Sequence, residues 1–186
     1  MATTQHQPAA SGESTLAQRR RRRLERLMAR PWTGSARRSA ALRNELDRRG
    51  LITPHFSWAS YACTDGTPVP RELRANAIRL HWRLELMRHR LGDVPMIVEG
   101  PYRTVARNRA VGGAGDSRHI HADGADFFLQ QVERWIAQGS ATSRDDVLRI
   151  AGRTFFDGGV GNETSGTLHV DARGFKARFV KWVPGR

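Results

Sequence analysis

The strongest constraint on this chain is the spacing of three side chains in two short stretches. The first is Ser117-Arg118-His119-Ile120-His121-Ala122-Asp123-Gly124-Ala125-Asp126, and the second is Leu168-His169-Val170-Asp171. A His and a carboxylate at fixed spacing, followed by a lone His among β-forming residues, can assemble a mononuclear zinc site from distant pieces. Two neutral imidazoles and one carboxylate fill three tetrahedral positions, and the fourth stays open for water. The loop from His119 to Asp126 is long enough to curl round one ion, and its flanks are rich in glycine. His121 reads as an exposed or supporting residue, with an exchange of roles with His119 as the alternative.

Composition narrows the chemistry. Cys63 is the single cysteine, which excludes an intramolecular disulfide framework and a Cys-rich zinc finger. A metal here must therefore be held by His and carboxylate, and Cys63 reads as a small buried residue. The net charge is +13, and only Lys176 and Lys181 among the cations are lysine. Such a balance suits an anionic partner, whether nucleic acid, a teichoic-acid-bearing wall or acidic lipid, or else reflects Arg-rich coding and solubility alone. Nucleic acid is the weaker reading, because no recognised motif and no interleaving of aromatic and basic residues is present. No apolar run is long enough for a membrane span, and residues 1–18 lack the apolar core of a Sec signal.

Read along the chain, residues 1–13 are small and polar. Residues 14–29 and 36–49 carry helical patterns, the second with Ala40, Leu42 and Leu46 inward and Gly50 as its stop. These segments form a basic N-terminal arm, residues 1–53, ahead of a domain at 54–186. The segment 54–70 reads as a loop anchored by Phe56, Trp58 and Tyr61. Pro68 and Pro70 introduce a helix over about 71–91, whose Leu73, Ala77, Leu80, Leu84, Met87 and Leu91 repeat at three and four residues. His81 and His89 on it read as surface or groove residues. A strand is expected at 96–99, a short Arg-rich helix up to Val111, and helices at 129–138 and from about 144 to Gly152 with Ser143 as cap. The glycines at 158–161 read as a turn into two last strands, 167–172 and 177–182, joined as a hairpin through Arg173-Gly174. Helices come first and antiparallel strands gather late, which predicts an α+β fold with a small antiparallel sheet and flanking helices.

Five short motifs then stand in a recognisable order. They are Gly100-Pro-Tyr-Arg-Thr, Asn108-Arg-Ala-Val-Gly-Gly-Ala, Ser117-Arg-His-Ile with Gly124-Ala-Asp126-Phe, Gly158-Gly-Val-Gly, and His169-Val-Asp. Together they resemble the zinc D-Ala-D-Ala carboxypeptidases, a superfamily that also holds L-alanyl-D-glutamate endolysins of bacteriophages and the Hedgehog signalling domain. The resemblance runs from about Pro54 to Trp182 and implies the Hedgehog/DD-peptidase-like fold. It makes His119, Asp126 and His169 the ligands of Zn2+. It gives Arg103 a catalytic and substrate-binding place on the peptide carbonyl or a substrate carboxylate, with Ser117 and Tyr102 beside the substrate.

The chain departs from the family pattern in two places. Ala122 and Gly124 stand where the pattern has Gly and Ala. The acid that usually precedes the last His by three positions is replaced by Gly166. Glu163 is then the favoured general base, with Asp171 as the second candidate and as a residue orienting His169.

The implied function is a zinc metallopeptidase that hydrolyses peptide bonds in bacterial peptidoglycan stem peptides, as a D-Ala-D-Ala carboxypeptidase or an endopeptidase. The alternative is a non-catalytic, zinc-containing wall-binding or phage structural module on the same fold. The expected partners are peptidoglycan peptides and, through the arm, an anionic cell-wall polymer. The resemblance also gives an expected location: made in the cytoplasm, then acting on the wall after release or as a virion-associated protein.

Overall fold

The computed structural model describes residues 36–162, 166–174 and 181–182. The chain divides into two units, Met1–Glu45 and Leu46–Arg186. The boundary expected at 53/54 therefore falls inside the second unit. The helix expected at 14–29 lies outside the described residues.

The helix α1 spans Ala36–Arg48, as its Ala, Leu, Arg and Glu content favours. Leu46 is buried as expected, but Ala40 is exposed. The next stretch is not a plain loop. A short antiparallel pair, β1 (Leu51–Thr53) and β2 (Phe56–Ser57), leads into the one-turn helix α2 (Trp58–Tyr61), which Ser57 caps through the Ser60 N–H. Phe56 and Tyr61 anchor it in the core as expected.

A 3-10 turn at Arg71–Leu73 precedes the long helix α3, Arg74–Arg90. Its stripe of Ala77, Leu80, Leu84 and Met87 is fully buried. His81 is on that stripe too, which corrects its assignment to the surface. It is wholly buried, edge-on to Phe56 and Tyr61 with ring centroids 5.2 Å and 4.4 Å away. His89 is exposed, as expected, and faces Asp93.

The four-stranded sheet has the order β3-β5-β4-β6, where β3 is Gly124–Phe128, β4 Gly159–Asn162, β5 Thr167–Asp171 and β6 Lys181–Trp182. Between α3 and the sheet lies the short helix α4, Val105–Ala110, capped by the Thr104 hydroxyl. The helices α5 (Leu129–Ala137) and α6 (Arg144–Thr154) follow β3, and Ser143 caps α6 as predicted. Phe127, Trp135, Val147, Phe155, Leu168 and Val170 join the α3 stripe in one core.

Three expectations are corrected here. The two last strands form no hairpin: β5 lies between β3 and β4, and β6 runs parallel to β4 on its other side. The glycines at 159 and 161 lie in the strand β4, which passes closely over Asp171. A Cβ on Gly159 would stand 2.2 Å from Asp171 Oδ2. The third is the strand at 96–99: among the described residues this segment forms no strand, and the neighbouring Gly100 makes an isolated bridge with Asp126. There the buried Gln131 side chain replaces a neighbouring strand, accepting from Ile97 N at 2.7 Å and donating to Ile97 O at 2.8 Å.

Candidate metal centre

Strand register brings the two sequence stretches together. In the β3–β5 pair, Asp126 stands directly opposite His169. Directly opposite residues in an antiparallel pair share one face, so both side chains rise from the same side of the sheet. The Asp126 Oδ1 lies 2.7 Å from His169 Nδ1.

The turn at 117–123 folds His119 over the same face, with its Nε2 3.2 Å from Asp126 Oδ2. Each of the three residues offers one ligand atom within 4.8 Å of the others. In a tetrahedral zinc site with bonds of about 2.1 Å, ligand atoms stand about 3.4 Å apart. The spacing fits.

The protonation pattern fits as well. His119 Nδ1 lies 2.9 Å from the Pro101 carbonyl, which can only accept, so Nδ1 carries the proton. The lone pair of Nε2 then faces a carboxylate oxygen, an arrangement of two acceptors that a cation between them satisfies. Such a second hydrogen bond on a ligating His is how metal sites fix the ring and its tautomer. On His169, Nε2 faces Asp171 Oδ2 at 3.6 Å.

The electrostatics of the cluster are strong. Burial would push the Asp126 carboxyl up, but its contacts with His119 and His169 hold it well below the usual carboxylate range. Burial would lower His169, yet its contacts with Asp126 and Asp171 raise it to about 9. A cation entering the cluster must displace that proton. Asp171 is wholly buried, and Arg173 grips it through Nε at 2.8 Å and Nη2 at 2.5 Å. Burial acts to raise its pKa, but Arg173 and His169 hold it well below the ordinary value.

The segment 100–103 grips both ends of the cluster. Gly100 packs so closely on Asp126 that a Cβ there would stand 2.2 Å from Oδ2. Pro101 O holds the His119 ring, and Arg103 N donates to His119 O at 3.1 Å. The Arg103 side chain reaches Asp126 Oδ2 with Nη2 at 3.3 Å. The sequence marked Arg103 but missed the roles of Gly100 and Pro101, although both belong to the motif that carried the resemblance. The side chains of Arg103 and His169 are 26% and 18% exposed, so the cluster opens to solvent on that side.

The metal turn is pinned from below. Asp123, wholly buried, pairs with Arg118 within the turn. From α3, Asn76 donates to His121 O at 3.0 Å and Arg79 to Ala172 O at 2.9 Å, while Ala172 N donates to Asp123 O. Tyr61 donates to Gly124 O at 2.8 Å from within the core. Ala122 takes a left-handed φ of 54°, the conformation that favours the glycine of the family pattern.

The remaining expected residues fall as follows. Ser117 is half-buried at the start of the metal turn, and its N–H bonds to Ala114 O. Tyr102 is 6% exposed and belongs to the hydrophobic core, where burial raises its hydroxyl pKa. His121 is half-buried and outside the three-residue cluster. Glu163 lies outside the described residues. Gly166 has φ +79°, and a Cβ there would pack on Leu129, on the helix-covered side of the sheet. An acid at 166 would be strained and would not face the cluster. Cys63 is buried, as expected.

The sheet presents Asp126 and His169, and a turn adds His119, so this α+β domain carries a His-Asp-His group able to hold a metal ion beside an open side. The Peptidase M15 family profile matches residues 49–171, and the chain belongs to that family. The zinc D-Ala-D-Ala carboxypeptidase of Streptomyces albus G is 49% identical over 54 residues, which is 29% of this chain and 21% of that protein. The match thus spans about a fifth of that relative's length.

Proposed function

We propose that the chain is a zinc peptidase acting on the stem peptides of bacterial peptidoglycan, with His119, Asp126 and His169 as the zinc ligands. The observation that carries this reading is the convergence of Nε2 of His119 and Nδ1 of His169 on the two oxygens of Asp126, 3.2 Å and 2.7 Å away. Support comes from the family membership and from the name of the Streptomyces relative.

Zinc bound there supplies a Lewis acid and lowers the pKa of a water it holds to about 7. The chain's own groups do the rest. Arg103, beside the open side, offers a planar cation to the oxygen of the scissile carbonyl or to a substrate carboxylate. Pro101 O and Asp171 keep the two imidazoles turned toward the centre. Held as a carboxylate by Arg173, Asp171 is a poor proton acceptor at neutral pH, so its role is to position His169. Glu163 is the residue we assign as general base. The bond cleaved is that of a carboxypeptidase or of an endopeptidase, and the setting of a phage lytic enzyme is part of the same proposal. So is a contact between the Arg-rich arm and an anionic wall polymer, which deletion of residues 1–50 would abolish.

The direct test is metal content. The purified chain should hold one zinc, and His119→Ala should lose both the zinc and muropeptide hydrolysis. A second reading, a zinc-holding module without turnover, is favoured by one observation, the glycine at 166, whose φ of +79° would strain the acid that the family pattern carries there. Bound zinc without hydrolysis, unchanged by Glu163→Gln, would establish it.

A further inference from the structure

The face of the sheet that carries Asp126 and His169 continues one pair further along β3 and β5, to Phe128 opposite Thr167. Side chains alternate along a strand, so Asp126 and Phe128 rise on one side while Phe127 turns into the core against Trp135. Phe128 stands about 7 Å along the strand from Asp126. Its ring is half exposed, whereas Thr167 opposite is buried.

A single exposed Phe is ordinary on a protein surface. Here three things set it apart. It shares its face and its strand with the metal cluster. Its backbone is fixed: the Phe128 N–H bonds to a Glu99 carboxylate oxygen, and Glu99 N donates to Asp126 O at 3.0 Å. And Ile97, 62% exposed, has both its backbone groups bonded to the side chain of Gln131, three residues after Phe128 in the first turn of α5. An aromatic ring on a rigid strand, next to a solvent-open reaction centre, is a surface on which a substrate side chain can lose water without ordering the protein further.

We infer that Phe128, with Ile97 at its rim, forms an apolar subsite for the aliphatic side chain of a substrate residue near the scissile bond. The inference rests on the peptidase reading for its substrate class. It is tested by scanning glycine through a stem-type pentapeptide, using the zinc-loaded wild-type protein and Phe128→Ala. One position should raise KM about tenfold in the wild type when its side chain is removed, within the range that one or two methylenes give in an apolar pocket. Phe128→Ala should erase that difference, with kcat on the glycine peptide and zinc content unchanged. Phe128→Leu should keep part of the preference.

The inference is overturned if wild type and Phe128→Ala give the same profile across all positions. If the wild type cleaves none of the peptides, the same scan is read as binding by calorimetry. A Phe128-dependent binding profile then upholds the subsite while the hydrolytic reading fails, and a flat binding profile overturns both.

Discussion

Asp126 stands opposite His169 in the β3–β5 register, with Oδ1 2.7 Å from Nδ1. The metal cluster is thus written into a strand pairing rather than into a loop alone. Two of the three side chains are fixed by the backbone ladder, and only His119 has to be delivered by a turn. That turn is held by Pro101 O on the ring, Arg103 N on the carbonyl, and Asp123 with Arg118 beneath. Rigid strands give sites more exact geometry than free loops do.

Gly100 tests how tightly the cluster is packed. In Gly100→Ala the new Cβ would stand 2.2 Å from Asp126 Oδ2 and 2.6 Å from its Cβ. The carboxylate must shift, and zinc affinity should fall at least about tenfold, as for the loss of a supporting partner. Competition with a chromophoric chelator measures it, and far-UV circular dichroism should show the fold retained.

Asp171 and Glu163 should separate cleanly. Asp171→Asn removes the carboxylate that faces His169 Nε2, and should weaken zinc binding by about 10- to 100-fold. Glu163→Gln should keep zinc and lose turnover. Metal titration beside a hydrolysis assay on both variants distinguishes a positioning residue from a base.

Asp123 carries the stability of the metal turn. It is wholly buried and paired with Arg118, whose side chain is 23% exposed. Asp123→Asn leaves Arg118 without its counter-charge, at a cost of roughly 3 kcal/mol. Urea denaturation of wild type and variant reads the loss directly.

His81 sets an acid limit. Its Nδ1 bonds to Ala77 O at 2.8 Å, and its Nε2 is buried without a partner. Burial lowers its pKa from 6.5 to about 4. The folded value is below the unfolded one, so the unfolded chain binds the extra proton first. Stability from this group is full above pH 6.5 and is lost as pH falls toward about 4, by up to about 1.4 kcal/mol per pH unit. His81→Leu should flatten the melting temperature between pH 6.5 and 4, as measured by a pH series of thermal melts.

How far the sequence could be read follows from where the information sits. The helix at 74–90 and the trio His119, Asp126 and His169 are visible because periodicity and residue chemistry mark them. His81 also had a signal, being four residues after Ala77 and three before Leu84 on the apolar stripe, but its residue type argued for the surface. The strand β4 had no readable pattern, since its glycines answer to the nearness of Asp171 and not to a strand's own alternation. The segment 96–99 had strand-like residues, yet its partner is the side chain of Gln131, which no local pattern shows. The one acid absent from its family position, at Gly166, is explained only by the backbone there, where φ is +79°.

Zinc held at this cluster should cut stem peptides. Mass spectrometry of purified muropeptides, digested with the zinc-loaded chain and in parallel with His119→Ala, tests that most directly. The expected result is stem peptides shortened or split at one defined amide bond by the wild type and left intact by the variant. An unchanged muropeptide profile from a wild-type chain that holds one zinc would contradict it.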